Sequence, residues 1–87
     1  MADTWTPRYL VQKAPGVGGK PIPEDEPCLV IRGQDLQAVA MLKTYIAFYQ
    51  TLGYAADPKV IADLEEHLDA LIEWQGDHAV DCKWADR

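Results

Sequence analysis

Cysteine, long apolar runs and basic charge are all scarce in this 87-residue chain. Two cysteines are too few for a disulfide scaffold, so packing has to supply the stability. No stretch approaches the ~18 consecutive apolar residues that a membrane-spanning helix needs. The start, MADTWTPRYLVQ, has neither the basic opening nor the apolar centre of a secretory signal, and the expected compartment is the cytoplasm. Lys and Arg together number 8 against 14 Asp and Glu. What remains is a composition with 48% hydrophobic and 25% charged residues, too apolar for a disordered chain. The length predicts one domain over residues 1–87, near the lower end of what folds alone.

The scarcity of bases is local. Residues 1–34 balance Asp3, Glu24, Asp25 and Glu26 against Arg8, Lys13, Lys20 and Arg32, and residues 35–56 balance Asp35 against Lys43. Residues 57–87 carry nine acids against Lys59, Lys83 and Arg87, so the whole net charge of −6 sits in the last third. A field of that sign repels phosphate backbones and argues against direct nucleic-acid binding. It favours, and speeds encounter with, a basic protein surface. The competing reading of the same charge is solubility.

The pattern along the chain predicts an α+β fold: a small antiparallel β-sheet of 2–3 strands covered by two antiparallel amphipathic helices. The first strand is expected over 5–14, where aromatic and β-branched residues mix with polar ones. PGVGGKPIPEDEP at 15–27 reads as a long loop, since its glycines and prolines support neither strand nor helix. CLVIR at 28–32 reads as a second strand, ended by Gly33. Asp35 as N-cap and Gly53 as stop bracket a helix over 36–52. Its apolar arc, Met41, Leu42, Tyr45, Ile46, Phe48, Tyr49 and Leu52, is unusually wide and aromatic. Asp57-Pro58 opens a second helix over 58–75, striped with Val60, Ile61, Leu64, Leu68, Leu71 and Ile72 and stopped by Gly76. The tail 77–87 is compatible with a third strand, an extra helical turn or a docked segment.

Catalytic and metal chemistry find little footing. His67, His78, Cys28 and Cys82 are ligand types, but only His78 and Cys82 are close, and no zinc-like pair of pairs occurs. Both cysteines are expected as free thiols, the compartment giving no reason for a Cys28–Cys82 bridge. G-x-S-x-G, P-loop and H-E-x-x-H motifs are absent, and Lys20 of PGVGGK is followed by proline where a phosphate-binding helix would start. No catalytic residue, cofactor or metal site is therefore expected. The informative feature is the second helix, on which Asp63, Glu65, Glu66, Asp69 and Glu73 share the side opposite the apolar stripe, with Asp77 beyond them. Glu65, Asp69 and Glu73 follow at i, i+4, i+8, a spacing at which like charges cost a few tenths of a kcal/mol per pair. These six are the candidate partner-binding residues, and a smaller acidic cluster, Glu24, Asp25 and Glu26, reads as a solvated turn.

The block Glu26-Pro27-Cys28-Leu29-Val30-Ile31-Arg32-Gly33-Gln34-Asp35, followed by an amphipathic helix, resembles a short signature in small proteins of phages, prophages and mobile elements. The resemblance covers about ten residues and the following helix and carries no assigned activity. It implies a bacterial host, and small acidic proteins of such elements are often stoichiometric inhibitors of host machinery, anti-CRISPR proteins among them. The expectation is a non-enzymatic protein-binding module docking on a basic, nucleic-acid-binding surface of a host complex. The alternative is a homo-oligomeric structural or accessory protein, for instance a homodimer packed through Tyr45, Phe48 and Tyr49.

Overall fold

The computed structural model describes residues 9–85. It contains two helices and no β-strand among these residues, which corrects the α+β expectation to a helical fold. The chain divides into two compact units, residues 1–30 and residues 31–87.

The first unit, described from residue 9, has no regular element. Its backbone closes local turns instead. Ala14-Pro15-Gly16-Val17 returns on itself, the Val17 N–H donating to the Ala14 carbonyl at 3.2 Å with Gly16 at φ 86°. Proline before a positive-φ glycine is the residue order of a type II turn. Pro23 to Glu26 closes another, at 3.1 Å. The expected strand 5–14 is absent over its described part, and its residues 5–8 lie outside the described range. CLVIR is likewise not a strand; its Leu29 is 72% exposed. An apolar run becomes a strand only when a neighbour takes up its backbone groups. Here the prolines and glycines of 15–27 fold that segment into separate turns, and no ladder forms.

In the second unit α1 spans Ala38–Gln50 and α2 spans Pro58–Asp77, and the two helices pack together. Where the sequence places a first helix at 36–52, the regular turns begin at Ala38, because Leu36 is held elsewhere: its N–H donates to the Lys83 carbonyl at 3.0 Å. At the other end Thr51 and Leu52 tighten onto Phe48 and Tyr49, and Gly53 takes φ 62°, which a residue with a Cβ adopts only at a cost. Gly53–Ala55 forms one turn of 3-10 helix. The Tyr49 hydroxyl then accepts the Asp57 N–H at 2.8 Å, holding the connection against α1. Asp57 caps α2 by accepting the Lys59 N–H at 2.9 Å, with Pro58 in the first turn, where its missing donor costs nothing.

α2 passes through Gly76 and ends at Asp77, two residues beyond the expected 75. The stop comes from His78 rather than from glycine. The His78 N–H donates to the Trp74 carbonyl at 3.0 Å, and its ring stacks on the Trp74 indole at 4.0 Å. A 3-10 turn, Ala79–Asp81, follows. Of the three readings of the tail, the strand is replaced by one isolated parallel bridge between Asp35 and Lys83, in which Lys83 N–H also donates to the Gln34 carbonyl at 2.9 Å. Among the described residues the buried apolar side chains are only Ala38 and Ile46, with Asp35 buried beside them in class.

Candidate functional site

The segment Gly33–Leu36 organises the second unit. The Asp35 N–H donates to the Arg32 carbonyl at 2.9 Å, turning the chain, and the buried Asp35 carboxylate accepts the Gln37 N–H at 2.8 Å. Asp35 thus works one turn ahead of α1: Gln37 occupies the N-cap position and has no side-chain cap of its own. From α2, the Gln75 amide donates to the carbonyls of Gly33 at 3.2 Å and Asp35 at 2.8 Å. Gly33 lies so close to α2 that a Cβ there would sit 3.2 Å from the Trp74 ring. A side chain there would require the Trp74 ring to give way by a few tenths of an ångström.

Beside this corner Arg32, Gly33, Gln34, His67, Ala70, Leu71 and Trp74 line an open cleft of about 290 Å³. Ala70, Leu71 and Trp74 give its lining apolar surface, and Arg32, Gln34 and His67 add a guanidinium, an amide and an imidazole. Sequence reasoning missed this cleft, because it joins residues more than thirty positions apart through the Gln75 contacts.

The remaining ligand-type residues do not converge. The His78 Nδ1 lies 2.9 Å from the Trp74 carbonyl, and the Cys82 thiol points to the His78 carbonyl at 3.4 Å. Cys28 in the first unit donates to the Glu26 carbonyl at 3.5 Å, and both cysteines are free thiols. Among the described residues no three His, Cys, Asp or Glu side chains gather as a metal would require. Glu24, Asp25 and Glu26 are exposed around the second turn of the first unit.

Asp63, Glu65, Glu66, Asp69, Glu73 and Asp77 are all exposed on α2. At 3.6 residues per turn they fall on one continuous side, while the half-buried Ile61, Leu64, Leu68, Leu71, Trp74 and Gln75 fall on the other. Neighbours four apart rise about 6 Å, so the carboxylates form a regularly spaced ridge on a twenty-residue helix. α1 differs. Its inner residues Val39, Leu42, Ile46 and Tyr49 are buried or half-buried, whereas Met41, Tyr45, Phe48 and Leu52, also apolar, are exposed. The wide aromatic arc of the sequence is therefore two seams, of which one faces solvent.

No protein-family model, no curated protein and no solved structure matches this chain. No described helix is long and apolar enough to cross a membrane.

Proposed function

We propose that the chain is a non-enzymatic protein-binding module whose α2 ridge docks on a basic surface of a partner complex. The observation that carries this reading is the exposure of Asp63, Glu65, Glu66, Asp69, Glu73 and Asp77 along one side of one helix. Apart from Asp63, which stands four residues after Lys59, folding gains little from that arrangement, since Glu65–Asp69, Asp69–Glu73 and Glu73–Asp77 are like charges four apart, which oppose a helix by a few tenths of a kcal/mol each. A partner gains a rigid row of anions. Grooves lined with Arg and Lys that hold phosphates in nucleic-acid-binding proteins offer the complementary chemistry, and an occupant there acts as a stoichiometric inhibitor. The likeness of residues 26–35 to small phage and mobile-element proteins supports that version and sets the host lysate as the place to look.

The test compares wild type with the variant Glu65→Gln, Asp69→Asn, Glu73→Gln as bait at low and high salt. A partner retained by wild type at low salt, released at high salt and lost with the variant supports the ridge. A partner held equally by both proteins removes it.

A further inference from the structure

α1 carries its second apolar seam in the arrangement of a helix-pairing surface. Met41, Tyr45, Phe48 and Leu52 follow at alternating steps of four and three, the spacing that keeps one stripe facing a neighbouring helix. They are 48%, 62%, 71% and 53% exposed, while the other seam of the same helix is spent on α2. We infer that the occupant of this seam is a second copy of the chain, giving a two-fold dimer through α1.

Charge separates this occupant from others. The single charged residue of α1 is Lys43, which lies on the far side of the helix from the seam, and Thr44 and Gln37 flank the stripe. A partner recognised by charge has nothing to read there, whereas an identical apolar seam matches it. Pairing through α1 also leaves the carboxylates on the side of α2 turned away from α1 free of the interface, so the net charge of −6 does not gather at the contact. The area reaches the threshold of a weak dimer. At those exposures the four present roughly 500 Å² per protomer, so a two-fold pair that covers them completely removes at most about 1,000 Å² from water, and neighbouring residues at the rim add to it, at the threshold for specific interfaces. The protomer has reason to use it: a unit whose buried apolar residues are Ala38 and Ile46, with free thiols and no bridge, belongs to the size class that oligomerisation commonly stabilises.

Sedimentation equilibrium of the full chain from about 1 µM to 1 mM, with thermal melts at both ends of that range, tests this. The mass is expected to rise from one protomer to two and stop there, with a melting temperature that climbs with concentration. Higher salt leaves the association intact, opposite to the salt response of the ridge. Phe48→Ala is expected to raise the dissociation constant at least tenfold as a central aromatic of the contact, and Phe48→Glu to stay at one protomer throughout. Phe48→Ala is decisive if the glutamate variant unfolds, because truncating an exposed side chain leaves the protomer's own contacts in place. Lys43→Glu, on the far side, leaves the constant unchanged. A one-protomer mass at the highest concentration overturns the proposal, whether the seam is then covered by another part of the chain or by a different protein. So does a mass climbing beyond two protomers, or a dimer indifferent to Phe48→Ala.

Discussion

Asp35 has two tasks that its place in the sequence suggests only in part. The order Gly33-Gln34-Asp35 before an apolar period marks a helix start, and its carboxylate does take up a backbone N–H, that of Gln37. Its burial and the two Gln75 bonds to the carbonyls of Gly33 and Asp35 are invisible to a local reading, because the partner is 40 residues away. The expected N-cap role is corrected, since Gln37 holds that position; Asp35→Ala removes one side-chain-to-backbone bond ahead of α1 and is expected to cost roughly 0.5–1.5 kcal/mol, read as a lower denaturation midpoint, with Asp35→Asn recovering most of it through its own side-chain oxygen. An unchanged midpoint in the alanine variant would show that the Gln37 N–H needs no cap. Gln75→Leu keeps the volume but removes the amide donor from the Gly33 carbonyl, which keeps only the Cys82 thiol at 4.0 Å, and one of the two donors of the Asp35 carbonyl, which keeps the Ala38 N–H at 2.9 Å, so about 0.5–1.5 kcal/mol is expected to be lost. A leucine variant as stable as wild type would assign those carbonyls to solvent.

At the scale of elements, the helices were legible and the strands were not, for one physical reason. A helix satisfies its backbone within itself, so Asp57-Pro58, Gly53 and the apolar period mark α1 and α2 with local signals alone. A strand depends on a neighbour that composition does not reveal. Residues 28–32 have strand-like composition, yet the only bridge among the described residues falls at Asp35 and Lys83, beyond the run. The same limit applies to Gly76, a stop residue by type that α2 passes to end at Asp77, where His78 leaves the helix with its ring stacked on Trp74. The candidate ridge, by contrast, follows from spacing on one helix and needed no tertiary knowledge. Replacing Glu65, Asp69 and Glu73 by Gln, Asn and Gln removes three repulsive pairs, Glu65–Asp69, Asp69–Glu73 and Glu73–Asp77, each worth about 0.2–0.5 kcal/mol, and the melting temperature is expected to hold or rise slightly. A clear fall in calorimetry would mean that these carboxylates serve the fold instead of a partner.

At the largest scale, the acidic ridge and the α1 apolar seam lie on different helices, although Val60, Ile72, Val80 and Trp84 are also exposed within the acidic third. Residues 57–87 hold the net charge of −6, and α1 holds an exposed apolar seam with no charge beside it. Sequence alone shows the first of these and misleads on the second, because a wide apolar arc on one helix reads as a single buried face until α2 is seen to cover only part of it. Segregation of this kind gives two surfaces that respond oppositely to salt, one screened by it and one not. For a partner isolated through the ridge, the most direct measurement is its association rate constant with wild type and with the Glu65→Gln, Asp69→Asn, Glu73→Gln variant across a salt series. Screening acts over ~8–10 Å near physiological ionic strength, so the wild-type rate should fall steeply as salt rises while the variant starts slower and barely responds. Equal rates for the two proteins, with equal salt slopes, would contradict an acidic ridge as the docking surface.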